Sequence, residues 1–226
     1  MGVGRFFHYI GAVFLLAATV LLIVASITAP VVNNISILRV NLNGLGGQTA
    51  TGINYGTFGY CVTRNNGGDS CSSSRIGYNP VNAFPAVNSS NDDLDNIASS
   101  TARALTYVMV LHPVGAGLCF IAFLLAVFPG VVGSLLSAII ATLALFVTLV
   151  ALACDFAGFS IVRRRINRDT QASASWGVGI WLVLAAAVLS LIGTIVVFFT
   201  CCAGRRRRSR ESKKMAAYQQ SSPTRY

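Results

Sequence analysis

The chain offers little for chemistry: two histidines, seven acidic residues and six cysteines among 226 residues. His112 and Asp155 have the least usual setting, because residues 104–154 carry no Asp, Glu, Lys or Arg and Asp155 ends that run. Polar groups in the same half of neighbouring apolar helices need partners, and a His–Asp contact supplies both. There is no P-loop, no G-x-S-x-G and no His/Cys spacing for a metal, so neither an enzyme nor a cofactor is expected. The cysteines divide by neighbourhood. Cys61 and Cys71 bracket a Gly-, Asn- and Ser-rich segment, while Cys119 and Cys154 sit in apolar runs and read as packing residues. Cys201 and Cys202 precede a basic run, Arg205, Arg206, Arg207, Arg208, Arg210, Lys213 and Lys214. That pair is a candidate for palmitoylation, with passive membrane cysteines as an equal alternative.

The elements that must position these residues are membrane spans. Hydrophobic residues make up 54% and charged residues 11% of the chain, where a soluble domain has about a quarter charged. A hydrocarbon core of about 30 Å takes about 20 helical residues. Residues 11–29 meet that length and read as a retained span: Pro30 follows the only site for leader cleavage, and Ile27 stands where a small residue is wanted. The uncharged run of 104–154 holds two spans, 105–127 and 135–156, parted by the turn-forming Phe128-Pro129-Gly130-Val131-Val132-Gly133. The fourth span, 176–202, is entered by Trp176 and Trp181 and closed by Arg205. His8 then lies at the far end of the first span as an interfacial residue.

Four spans put both termini on one side and the loops 30–104 and 157–175 on the other. Basic residues do not choose the side, since Arg5 and the tail are balanced by Arg163, Arg164, Arg165 and Arg168. Two glycan acceptor sequons, at Asn34 and Asn88, share the first loop with Cys61 and Cys71. Disulfides persist in oxidising compartments, so this loop is placed outside and the termini in the cytoplasm. The basic run would face anionic lipid of the inner leaflet, and residues 205–226 read as a disordered tail. Arg163, Arg164, Arg165 and Arg168 would meet an acidic partner or wall polymer, or simply form a solvated helix end, the reading preferred here. The net charge of +10 owes seven of its 17 basic residues to the tail run. No zinc finger or RNP signature accompanies it, and nucleic acid is not an expected partner.

The first loop has strand-like pieces. Ile35, Ile37 and Val40 form a broken alternation, Phe58, Tyr60 and Val62 a regular one, and Ile76 and Tyr78 another before Pro80. Asn65-Asn66-Gly67-Gly68-Asp69 suits a hairpin turn, which would set Cys61 opposite Cys71. A disulfide there contributes about 2.5–3 kcal/mol by loop-closure entropy; two free thiols in a flexible loop are the alternative. Asp92-Asp93-Leu94-Asp95-Asn96-Ile97 reads as a helix start leading into the second span. The expected fold is thus an all-α bundle of four transmembrane helices, residues 1–204, with a disulfide-stapled β-rich loop. Small residues such as Gly115, Gly117 and Gly193 suit close helix packing or lateral association equally, which leaves self-association open.

Residues 55–80 (YGTFGYCVT…C…RIGYNP), 105–127 (LTYVMVLHPVGAGLCFIAFLLAV) and 155–167 (DFAGFSIVRRRIN) carry a resemblance to the fungal PalI/SUR family, within the claudin-like tetraspan architecture. No Trp precedes the first cysteine, in contrast to true claudins, and the PalI branch is the nearer one. The resemblance implies a non-enzymatic plasma-membrane accessory protein that assists a receptor complex in ambient-pH signalling, with other membrane proteins and anionic lipids as partners. The alternative it implies is an organiser of membrane domains and cell wall of the SUR type; a claudin-like pore is less favoured. For a pH-signalling protein His112 could titrate. A helix bend at His112-Pro113, with Asp155 anchoring the membrane boundary, is the preferred reading of that pair.

Overall fold

A computed structural model of the chain describes residues 3–32, 34–42, 50–65, 68–83, 104, 106–128, 131–169 and 172–221. Four segments are helical, long and apolar enough to cross a membrane, His8–Ser26, Thr106–Val127, Gly133–Arg168 and Val178–Ala203. They fall in α1 (Val3–Ser26), α2 (Leu111–Val127) with the short helical stretch 106–108 before it, α3 (Val131–Asp169) and α4 (Val178–Ser221). On α1, Ala12, Leu15, Ala18, Leu22 and Ala25 are closed off while Val13, Leu16, Val20 and Ile23 are exposed. Both faces are apolar, so the outward one faces lipid rather than water.

Lipid tails give helices no hydrophobic reason to associate, and close packing must hold the bundle instead. The seams are accordingly built from small residues: Ala116, Cys119, Ala122 and Ala126 on α2, Ala138, Ala141, Ala144 and Ala151 on α3. The helices α1 and α3 each pack between α2 and α4. Buried hydroxyls are satisfied across the seams. Ser137 Oγ donates to the Ala122 carbonyl at 2.8 Å, and Thr194 Oγ1 to that of Ala141 at 3.2 Å.

Over one end of the bundle lies an antiparallel sheet of β1 (Leu38–Asn41), β2 (Ala50–Tyr55), β3 (Tyr60–Arg64), β4 (Ser70–Cys71) and β5 (Ser173–Trp176), in the order β4-β3-β2-β1-β5. Leu38 is paired with Tyr55 on one side and Trp176 on the other. The sheet therefore joins the long loop after α1 to the short one after α3. Its inner face, with Leu38, Val40, Ile53 and Tyr55, packs on Met109 before α2 and on Phe159 and Ile166 of α3. Two glycines let the sheet sit this close. A Cβ on Gly177 would stand 2.0 Å from the Ser36 carbonyl oxygen, and one on Gly56 2.2 Å from that of Ala29. Between them, Thr57 Oγ1 donates to the Ala25 carbonyl at 2.7 Å and the Thr57 N–H to Thr28 Oγ1 at 2.9 Å, fastening the β2–β3 connection to the end of α1.

The structure differs from the sequence-based expectations in four places. The helix expected to end at residue 156 continues to Asp169, because Phe159, Val162 and Ile166 find apolar cover in the sheet. At 39 residues it is about 58 Å long, nearly twice a hydrocarbon core. Trp176 closes β5 and lies outside the fourth span. Ile76 and Tyr78 lie in a turn rather than a strand, and β2 takes the place beside β3. Finally α4 runs to Ser221 where a disordered tail was expected from 205; its Arg, Lys, Glu, Met, Ala and Gln are good helix formers with no Gly or Pro among 205–221. The expected helix start at 92–97 lies outside the described residues.

Candidate functional site

The site at the seam of bundle and sheet begins with a missing donor. Pro113 has no N–H, so the carbonyl four residues earlier, that of Met109, loses its helical partner. The chain turns at Met109 and Val110 before α2 resumes at Leu111. His112 satisfies the orphaned carbonyl twice, through its backbone N–H at 3.1 Å and its Nδ1 at 2.9 Å. The other ring nitrogen, Nε2, lies 2.9 Å from Oδ2 of Asp155 on α3. Their side chains are 0% and 2% exposed, so both polar groups depend on each other rather than on water. A carbonyl oxygen can only accept, which places a proton on Nδ1. The second contact holds one further proton between Nε2 and Oδ2, and the pair is then neutral as a unit.

Above this pair stand three tyrosines of the sheet domain. Tyr78 donates its hydroxyl to the Gly56 carbonyl at 2.7 Å, and Tyr55 donates to that of Pro80 at 2.9 Å. Tyr60 lies between them, its ring centre 6.1 Å from Tyr55 and 6.2 Å from Tyr78. Thr106, at the start of the second span, donates to the Tyr78 carbonyl at 2.8 Å. Burial pushes the Tyr78 hydroxyl well above the usual phenol range, and Tyr55 and the Asp155 carboxylate add to the shift. Burial, with Tyr60 adding, raises Tyr55 as well. Folding thus favours the neutral phenols: their contribution is complete below about pH 10 and is lost as pH climbs beyond it. The double variant Tyr55→Phe/Tyr78→Phe should leave the phenolate absorbance step of the folded chain in micelles unchanged. A smaller step in the double variant would contradict the assignment.

Cys61 and Cys71 are directly opposed in β3 and β4 and form a disulfide. Arg163 and Asn167 act together at the far edge of the sheet. Arg163 Nε donates to the Ala174 carbonyl at 3.1 Å with its guanidinium 5.7 Å over the Trp176 ring, and Asn167 Oδ1 accepts the Ala174 N–H at 2.7 Å. The two side chains cover an edge that would otherwise invite another strand. Arg164 and Arg168 are exposed. At the opposite end of the bundle His8 is more than an interfacial residue: Nε2 donates to the Ala126 carbonyl at 3.0 Å and Nδ1 lies 3.0 Å from Thr200 Oγ1, joining α1 to α2 and α4. Cys202, Lys213 and Lys214 are exposed and Cys201 is half-buried. Asn88, and the side chains of Arg165, Arg205, Arg206, Arg207, Arg208 and Arg210, lie outside the described residues. Among the described residues no group of three His, Cys, Asp or Glu could hold a metal ion.

Asn34 is exposed in a turn, but the third residue of its sequon, Ser36, is buried with an Oγ that meets no partner. A buried hydroxyl without a bond costs about 1–3 kcal/mol. Ser36→Ala should therefore leave stability unchanged or raise it by up to about 1 kcal/mol, while removing the acceptor sequon. Thermal unfolding and gel mobility of the variant read the two effects separately; a clear loss of stability would show that the hydroxyl has a partner.

The model of the SUR7/PalI family matches residues 7–193, from α1 through the sheet and into α4. A Neurospora crassa protein named pH-response regulator protein palI/prr-5 is 31% identical over 116 residues, 51% of this chain and 15% of its own length. The pH-response regulator protein palI/RIM9 of Emericella nidulans is 30% identical over 114 residues, 50% of this chain and 18% of its own. The chain thus matches less than a fifth of either relative.

Proposed function

Since the chain belongs to the SUR7/PalI family, we propose that it is a non-enzymatic membrane component of fungal ambient-pH signalling, which helps a receptor complex reach or stay at the plasma membrane. The observation that carries this reading is the pairing of a family match over residues 7–193 with relatives named as pH-response regulators. In this reading the sheet domain faces the exterior, where its disulfide persists, and both termini are cytoplasmic. Residues 1–204 form the membrane unit. The basic stretch of α4, with the exposed Lys213 and Lys214, lies at the inner leaflet and attracts anionic lipid, and Cys202 is accessible for acylation. Contacts with the receptor use the sheet domain and the lipid-facing sides of the helices.

Deleting the gene in its host and following growth at acidic and alkaline pH tests the proposal. Growth should fail on alkaline medium and recover with the full chain. Normal alkaline growth with altered wall-stress tolerance would overturn it in favour of a membrane-organising role.

A further inference from the structure

The seam contains a group the proposed scaffold role does not use. We propose that His112 and Asp155 form a binding site for one exchangeable proton, and that its occupancy controls how firmly the sheet domain is seated on the bundle. The proposal deepens the pH-signalling reading and rests on it for its biological meaning, but not for its geometry.

With Nδ1 committed as a donor to Met109, the contact at 2.9 Å between Nε2 and Oδ2 needs a proton in it. Remove that proton and a ring lone pair faces a carboxylate, two acceptors with nothing between them. The pair then carries one negative charge in an enclosure that is closed to water. Such a charge in an apolar interior drives either rearrangement or the entry of water.

The groups that could compensate are few. From the sheet domain, Tyr78 faces Asp155 and has its hydroxyl committed to Gly56, with Tyr55 and Tyr60 behind it. On α3, Cys154 adjoins Asp155 in sequence and the nearest cation toward the sheet, Arg163, is held by Ala174 and Trp176. On α2, Cys119 is buried two turns along the helix from His112. The facing α1 and α4 bring no Asp, Glu, Lys or Arg between residues 6 and 37 or between 177 and 204. Among the described residues of these elements, no cation is therefore at hand to neutralise the deprotonated pair.

The element that can respond is the turn at Met109 and Val110. It carries the carbonyl that His112 grips, and one turn earlier Thr106 holds the Tyr78 carbonyl while Tyr107 lies where a Cβ on Gly77 would stand, 2.3 Å away. A shift of His112 thus reaches the sheet domain through three neighbouring residues of one short segment.

The test is hydrogen exchange of the full chain in lipid nanodiscs at a series of pH values, corrected for the intrinsic base catalysis of exchange. Protection of residues 50–83 and 106–112 should hold constant at acidic pH, then fall about tenfold per pH unit once the proton is lost, the slope of a one-proton linkage. Asp155→Asn should abolish the slope, because the substituted amide can donate to Nε2 and hold the seam closed without the proton. His112→Gln is the second variant, and it too should exchange without that slope. Flat protection in the unsubstituted chain overturns the proton site and leaves the signalling role untouched, as does an unchanged slope in a folded variant. A deletion strain that responds normally to alkali overturns the signalling role while the measured slope still stands.

Discussion

His112→Leu lowers the stability of the folded chain by about 3–5 kcal/mol, whereas Asp155→Leu costs about 1–3 kcal/mol. Leucine is close to histidine in volume and shares the branching of aspartate, so neither substitution opens a large cavity and the difference is chiefly one of polar partners. Without the ring, the Asp155 carboxylate is enclosed with its one cationic partner gone, and the Met109 carbonyl keeps only the backbone N–H. Without the carboxylate, a neutral ring still donates Nδ1–H to Met109 and only the Nε2 lone pair goes unused. The double variant His112→Leu/Asp155→Leu should be more stable than His112→Leu alone, because it removes the stranded charge. Denaturation midpoints of the four proteins in the same micelles read the whole cycle. Equal costs for the two single variants, or strictly additive ones in the double, would mean that the pair is not the closed unit described above.

That pair shows where sequence reasoning reaches and where it stops. Two ionisable residues in uncharged runs announce themselves, and their placement in one half of neighbouring spans is enough to bring them together. Pro113 was equally legible as a bend. What the bend does, freeing the Met109 carbonyl for the His112 ring, depends on a register that only the folded helix displays. The β-sheet was half legible for a related reason. The alternation of Phe58, Tyr60 and Val62 marks one strand, but β2 carries the weak strand formers Ala50, Gly52 and Asn54 and owes its place to its neighbours. The strand β5 is four residues, Ser173–Trp176, three of them small, and pairs with Leu38–Asn41 across more than 130 residues of chain. Local propensity is a poor guide where a partner strand decides.

Arg163 and Asn167 illustrate the same limit from the side of charge. Four arginines beyond a span look like a solvated end or a docking patch, and for Arg164 and Arg168, exposed on the helix, the sequence view was adequate. Arg163, together with Asn167, instead closes the edge of β5. Their signal lies in the pairing of a bidentate amide with a strand that has not yet been assigned, so it becomes visible only after the strand is known.

The second large effect concerns the staple. Replacing both Cys61 and Cys71 by serine should cost about 2.5–3 kcal/mol, the loop-closure entropy of a ring this short, and the loss should be local. The strand β4 is two residues long, both exposed, and pairs with β3 at the edge of the sheet. The remaining ladder, β3-β2-β1-β5, is anchored from below by Tyr55, Ile53, Val40 and Leu38 on the bundle. It is also held at its near end by the Thr57 and Thr28 bonds to α1. Hydrogen exchange in the double variant should therefore rise sharply over 64–72 and little over 38–41 and 173–176. Under the proposed signalling role, the consequence in cells separates two uses of the sheet domain. If the hairpin itself makes the proposed receptor contact, the variant reaches the membrane in normal amounts and the alkaline response fails. If the staple serves only stability, the response follows the amount of protein at the surface and recovers when expression is raised. Exchange that rises equally across all five strands would refute the local account, because it would make the disulfide a support of the whole sheet rather than of its outermost hairpin.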